Sequence, residues 1–209
     1  MEKRTIKPTT MVCPLPAVMA SCGTMEASNI ITIEWTGIIC TDPPRTYISI
    51  AKQRYSHDIV ENTGEFVINL TNKDLARATD FCGCTTGAKI DKFSEAGLTK
   101  AAADIVACPM IAEAPVNLEC RVFKVERLGS HDMYMADIVA VHVNEDLFDE
   151  DGRICLERAG LIVYSHGHYH ELKRESLGRF GWSVMKPKTR KRLASKAAGR
   201  GGKKPGQKK

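Results

Sequence analysis

Short apolar stretches, rich in Ile, Val, Thr and aromatic residues, alternate with turn formers along the first half of the chain. Segments 16–21, 29–35, 45–51 and 65–70 have this character, and Gly23, Asp42-Pro43-Pro44 and Asn62-Thr63-Gly64 separate them. The pattern predicts strands joined by tight connections. Two longer runs, 116–126 and 133–143, flank Gly129-Ser130-His131-Asp132 and predict a hairpin. In the second run Ile138 falls on one face and Val139, Val141 and Val143 on the other, as expected of a strand packed on both sides. Helical signals are fewer. Ser56 is placed as the N-cap of a short helix over 56–61, and Asn72 as the cap of a second over 72–81, with Leu75, Ala76 and Thr79 on one face. Many short strands and few helices predict a mainly β fold, a barrel or sandwich with helices packed outside. No internal repeat is visible.

Charge divides the chain. Its 209 residues include 30 Lys or Arg and 25 Asp or Glu, a net charge of +5. Eleven of those cations lie in 186–209, which has no acidic residue, so the remainder carries 19 basic against 25 acidic residues, a net −6. The expected organisation is one domain over 1–185 and a disordered basic tail over 186–209, since the tail lacks apolar periodicity. Eleven flexible cations attract phosphates non-specifically, but no nucleic-acid-binding motif accompanies them. No apolar run approaches the ~20 residues that span a bilayer, and no signal-peptide pattern opens the sequence, so a cytoplasmic location is expected. The eight cysteines form no C-x-x-C pairs. They read as reduced thiols in apolar settings rather than as a metal centre, with Cys82-Gly83-Cys84 as a thiol-bearing turn.

An ordered series is more specific than any of its parts. Residues 29–37, Asn-Ile-Ile-Thr-Ile-Glu-Trp-Thr-Gly, lead to Asp42-Pro43-Pro44, Tyr47-Ile48-Ser49-Ile50 and Arg54-Tyr55-Ser56. Gly64-Glu65-Phe66-Val67-Ile68-Asn69-Leu70, Cys82-Gly83-Cys84-Thr85-Thr86-Gly87, Asp91-Lys92-Phe93 and Leu118-Glu119-Cys120 follow. This order and spacing resembles the flavin reductase-like FMN-binding domain, especially its flavoredoxin-like branch. The resemblance implies an FMN-binding split β-barrel that forms a homodimer, with flavin near the subunit interface.

FMN presents a phosphate dianion, a polyol and a flat apolar ring with polar edges. The phosphate calls for cations and clustered N–H or O–H donors. Arg54, Ser56 and Lys92 are the expected phosphate ligands; Lys89, which like Lys92 follows the Thr85-Thr86-Gly87 turn, closes the other side, and Thr85 and Thr86 count among the cofactor-binding residues. Ser56 also stands where a helix start directs backbone N–H groups at an anion. The ring calls for an apolar slot with donors at its edge. Trp35, Thr36 and Gly37 at a strand end are assigned to it by the resemblance, with side-chain hydrogen bonds from Asn29 and Thr32 and a polyol contact from Ser49. Taken singly, Trp35 is more often a core residue than a flavin contact and Arg54 usually a solvated surface cation; only the series favours the site.

His166-x-His168-x-His170 places three imidazoles on one face if it is a strand, a minor case for a metal site. The resemblance favours a substrate-side role for Tyr164, His168 and Tyr169, with His168 as the proton-handling candidate. His131, in the hairpin turn, matches a recurrent position of the family, and both a hydrogen bond within the hairpin and an active-site role are open for it. No G-x-G-x-x-G turn opens a helix, so no dinucleotide-binding Rossmann domain is expected. NADH or NADPH would therefore dock directly on the flavin. The implied function is a flavin reductase passing electrons from reduced nicotinamide through FMN to a small-molecule or protein acceptor. The alternative is a flavoredoxin-type carrier, or a flavin-binding protein without nicotinamide turnover.

Overall fold

Burial alternates along 45–51 and 131–136, whereas 18–23, 29–33 and 66–69 are buried without a break. The structure, a computed structural model, describes residues 1–173, 175–190 and 192. In chain order the strands are β1 (Leu15–Pro16), β2 (Val18–Gly23), β3 (Ser28–Ile33), β4 (Thr36–Thr41), β5 (Pro44–Ala51) and β6 (Glu65–Leu70). After them come β7 (Lys100–Ala101), β8 (Met110–Ile111), β9 (Val116–Leu128), β10 (His131–Val143), β11 (Ile162–Ser165) and β12 (His168–Glu171). Three helices intervene: α1 (Tyr55–Thr63), α2 (Ala76–Cys84) and α3 (Lys92–Glu95). An antiparallel sheet of seven strands runs β3-β2-β6-β9-β10-β5-β4. Just past β3, the Trp35 carbonyl accepts from the Ser49 N–H of β5 at 3.0 Å, drawing the two sides of the sheet together.

On β5, Thr46, Ile48 and Ile50 are buried while Arg45, Tyr47 and Ser49 are half-buried. The inward set joins Val18, Ala20, Ile31, Ile33, Phe66 and Tyr134 in the main core, which Val60 of α1 closes. The other face of β2 and β3 sends Met19 and Ile30 into a second core with Cys82 of α2 and Phe93 of α3. Both faces of these strands are covered, which explains their near-continuous apolar sequence.

Segment 65–70 is a strand as expected, and the hairpin at Gly129 and Ser130 forms. Bulges between Met135 and Ala136 and between Ile138 and Ala140 account for the imperfect alternation along β10. Three readings need correction. Cys82-Gly83-Cys84 is not a loop turn but the C-terminal end of α2. Ser56 is not an N-cap: Arg54 holds that position in an extended conformation, and Ser56 is buried within the first turn of α1. His166, His168 and His170 do not share a strand, because His166 lies in the turn between β11 and β12. Asn72 does cap, its side chain accepting from the Leu75 N–H, although a 3₁₀ turn precedes α2 there.

The compact unit is Met1–Leu172, and Lys173–Lys209 forms a second unit, so the division falls before the compositional break at Met185. The described part of that second unit has a 3₁₀ turn at Trp182–Val184 and a helical turn at 187–190. The remainder of the expected disordered tail, residue 191 and residues 193–209, lies outside the described residues. Among the described residues no helix is long and apolar enough to cross a membrane. The cysteines there are free, and five of them are buried. Burial pushes the Cys22 and Cys120 thiols up to about 12 and that of Cys82 up to about 11.

Candidate functional site

Two adjoining cavities open where α1 begins. The smaller, about 230 Å³, is bounded by Asn29 of β3, Arg54 and Ser56 at the start of α1, the 85–87 turn after α2, and Lys92 of α3. No side chain caps α1; the His57 N–H closes on the Arg54 carbonyl at 2.8 Å, which leaves the N–H groups of Tyr55 and Ser56 at the helix start for an anion. Asn29 Nδ2 donates to Ser56 Oγ at 2.7 Å, tying β3 to α1. Gly87 comes so near that a Cβ there would lie 2.0 Å from Asn29 Oδ1, and only glycine lets the turn close on this wall. Lys92 is only 4% exposed, and its Nζ donates to the carbonyls of Ile30 at 2.8 Å and Cys82 at 2.7 Å. Burial lowers the Lys92 pKa, the neighbouring thiols oppose that shift, and Arg54 lowers it further. Arg54 itself reaches the Gly83 carbonyl at 3.4 Å. Two cations that repel each other line a pocket where, among the described residues, no carboxylate does. That arrangement fits an anion such as a phosphate.

The larger cavity, about 840 Å³, shares Ile31, Gln53 and Arg54 with the smaller one. Its walls come from Thr32, Trp35, Tyr47, Ser49 and Ile50, and its rim from His131, Tyr164, His166 and the 9–13 segment. Trp35 stacks on His131 with ring centroids 4.5 Å apart and planes tilted by 38°. His131 Nδ1 lies 2.9 Å from Ser130 Oγ, a hydrogen bond within the hairpin turn. Glu34 also lines this cavity, and burial raises its carboxyl pKa, partly offset by its own backbone and by Arg54. A mostly apolar chamber continuous with an anion pocket matches a flat ring carrying a phosphorylated chain.

Of the residues singled out from the sequence, Asn29, Arg54, Ser56, Thr85, Thr86 and Lys92 gather around the smaller pocket. Thr32, Trp35 and Ser49 line the larger cavity with Arg54. The Thr32 hydroxyl, however, already donates to the Thr79 carbonyl. Thr36 and Gly37 line neither cavity: Thr36 Oγ1 donates to Tyr47 O at 2.6 Å, and Gly37 O accepts from Thr46 Oγ1 at 2.9 Å, so they hold β4 on β5. Lys89 also lies outside both, its N–H closing a turn on Thr86 O at 3.2 Å. His168 is exposed on β12, 6.3 Å from the His170 ring and outside both cavities, whereas Tyr164 and His166 line the larger. Tyr169 meets Tyr164 edge-on at 5.5 Å.

Gln53, Tyr55, Gly87, Glu34, Tyr47 and the 9–13 segment were missed as lining residues. Gln53 and Tyr55 flank Arg54, and Glu34 stands two places after Thr32 within the segment 29–35 that the sequence predicts as a strand, so proximity and period were available signals. Nothing local marks 9–13. The cluster Asp104, Glu119 and His142 brings its ligand atoms within 4.8 Å of one another. Its centre is already occupied: the buried Glu119 carboxylate accepts from the N–H groups of Asp104, Ile105 and Val106 and pairs with His142 at 2.6 Å. It acts as a clamp on that loop.

An antiparallel β-barrel with outer helices and a two-chamber pocket at a helix start defines the class: a split-barrel protein. Residues 11–173 match the flavin reductase like domain, and the chain belongs to that family. An uncharacterized protein of Archaeoglobus fulgidus is 30% identical over 129 residues, 62% of this chain and 72% of that one. A Streptomyces pristinaespiralis protein named NADH:riboflavin 5′-phosphate oxidoreductase is 28% identical over 138 residues, 66% of this chain and 72% of its own. Among solved structures, flavoredoxin of Desulfovibrio vulgaris (Miyazaki F) superposes with a TM-score of 0.81 at 23% identity, over 88% of this chain and all of that one.

Proposed function

We propose that the protein binds FMN and passes electrons from a reduced nicotinamide through it to a small-molecule or protein acceptor. The observation that carries this reading is the continuity of an anion pocket with an apolar chamber, joined at Arg54. Family membership and the name of the Streptomyces relative support it. Bound flavin would supply a ring that accepts a hydride and releases electrons. The chain's own residues do the rest. Arg54, Lys92 and the α1 N-terminus hold the phosphate, while Gln53 and Ser49 stand along the route to the larger chamber. Trp35, braced by His131, walls the ring.

Half-buried Tyr47, Met133 and Met135 lie on the outer face of β5 and β10, paired across that ladder and continuous with the larger cavity. We read this face as the contact for a second copy in a homodimer. Mixing FMN-loaded protein anaerobically with NADH and with NADPH tests the electron-transfer reading. Bleaching of the flavin band is the expected result. Reduction by neither nucleotide, with reduction by a ferredoxin-type donor, would establish the carrier reading instead.

A further inference from the structure

The β11–β12 hairpin carries a residue choice that turn geometry alone does not favour. Ser165 pairs with His168, leaving His166 and Gly167 as a two-residue connection. Both have positive φ, 51° and 85°. Two positive φ values characterise the type I′ hairpin turn, whose preferred first residues are Asn, Asp or Gly. Among the described residues His166 is the one non-glycine with positive φ. Histidine tolerates that region better than most residues, but an Asn-Gly pair would satisfy the turn at less cost.

The position explains the choice. Leu15 of β1 pairs with Tyr164 of β11, so the hairpin and the amino-terminal strand form a small sheet, and both Tyr164 and His166 line the larger cavity. The other five histidines have partners. His57 meets Asp132 and Asp58, and His142 meets Glu119. His131 is tied to Ser130 and Trp35, and His168 and His170 face each other. His166 has no hydrogen bond, ion pair or ring contact among the described residues, and it is exposed while lining the larger cavity of about 840 Å³.

We propose that His166 receives the electron donor: its imidazole hydrogen-bonds the carboxamide of a nicotinamide stacked over the ring in the larger cavity. This rests on the FMN reading above. A neutral imidazole presents one N–H donor and one lone pair, and an amide presents the complementary carbonyl and NH₂. Transfer moves a hydride, with both electrons, from the nicotinamide C4 to the flavin N5, leaving the nicotinamide oxidised. His166 exchanges no proton. It fixes the donor's approach within the roughly 3–3.5 Å that transfer demands.

His166→Gly removes the side chain while keeping a residue suited to positive φ, and His166→Asn installs the preferred turn residue with a shorter amide. Both variants are expected to melt at or above the wild-type temperature and to bind FMN within about twofold of wild type. In His166→Gly the calorimetric Kd of FMN-loaded protein for NAD⁺ or NADP⁺, which needs no turnover, should rise about fivefold, the loss of one hydrogen bond. The half-saturating NADH or NADPH concentration should rise in parallel, with His166→Asn between the two. Unchanged nucleotide affinity in His166→Gly would leave His166 as a turn residue only. An equal loss of FMN and nucleotide would make it part of the cofactor site and overturn the proposal. A wild-type protein that binds FMN but neither binds nor oxidises either nucleotide removes the nicotinamide reading, and this inference with it.

Discussion

The two chambers of the site are built on opposite plans. Around the smaller pocket, polar groups are committed to one another: Asn29 to Ser56, Lys92 to two carbonyls, Arg54 to Gly83. Around the larger cavity, the walls are strand side chains and the rim is loop, with Trp35 still 39% exposed and His166 without a partner. The first plan fixes a charge in one place before a ligand arrives, so reorganisation costs little. The second leaves room for exchange at an open face. On the proposed function one end retains the flavin and the other admits the electron donor, and the two plans suit those two tasks.

That contrast breaks most visibly at Arg54. Arg54→Ala should weaken FMN by 1.5–3 kcal/mol, about ten- to a hundredfold, by the loss of charge-assisted hydrogen bonds. Riboflavin, which lacks the phosphate, should lose little. Parallel titrations of the two ligands check this, and an equal loss would place Arg54 on the ring or in the fold.

Lys92 sharpens the comparison because it serves the fold as well as the pocket. Lys92→Met keeps the stem but strips the Ile30 and Cys82 carbonyls of their donor, in a region where Phe93 and Cys82 share a core. Urea unfolding of the flavin-free protein should show a loss of about 1–3 kcal/mol. Arg54→Ala should leave that stability nearly unchanged.

Beneath α1 lies a third group that ties the two plans together. Asp132 is buried; burial itself opposes ionisation, but hydrogen bonds from His57 and Arg127 win and hold its carboxyl at about 2. Lys52, on the loop leading to Gln53 and Arg54, stands 3.6 Å from its other oxygen. A depressed carboxylate contributes stability above its unfolded pKa, near 3.9, and loses it as pH falls through the folded value. The melting temperature of the flavin-free protein should therefore fall between about pH 4 and pH 2. His57 is shifted upward, burial being outweighed by its two aspartate partners, so its contribution is present below the ordinary histidine pKa and fades as pH rises through the raised one. Asp132→Asn should flatten the acid limb. An unaltered limb would show that other carboxylates govern it.

The legibility of the site follows the same division. Several residues that line the smaller pocket were named from the sequence because Arg54, Ser56, Thr85, Thr86 and Lys92 stand in a recognisable order. Strands buried on both faces, such as 65–70, were readable from their near-continuous apolar composition. β4 was not: it is an edge strand with Ile38 and Ile39 exposed, so no buried alternation marks it. Thr36 and Gly37 were assigned to the ring because they end a strand, yet the chain turns there directly into β4 and their polar groups are spent on β5. His168 was named and His166 was not because no local signal locates the two-residue turn within the histidine run; His166 lies in that turn and lines the larger cavity, while His168 is exposed on β12.

Trp35 supplies the smallest effect and the opposite signature to Arg54. It contributes an aromatic wall to the larger cavity, stacked on His131, and is not among the residues lining the smaller pocket. An aromatic contact of this kind contributes about 0.5–1.5 kcal/mol beyond area burial. Trp35→Leu should therefore weaken FMN and riboflavin alike, by about two- to tenfold each, leaving their affinity ratio at the wild-type value. His131 then loses its stacking partner but keeps Ser130, so the hairpin turn should survive and the melting temperature change little. The ratio is the decisive quantity, because a fold-wide disturbance lowers both affinities and the melting temperature together. A Trp35→Leu protein that loses FMN while holding riboflavin would place the phosphate, rather than the ring, against Trp35 and reverse the assignment of the two chambers.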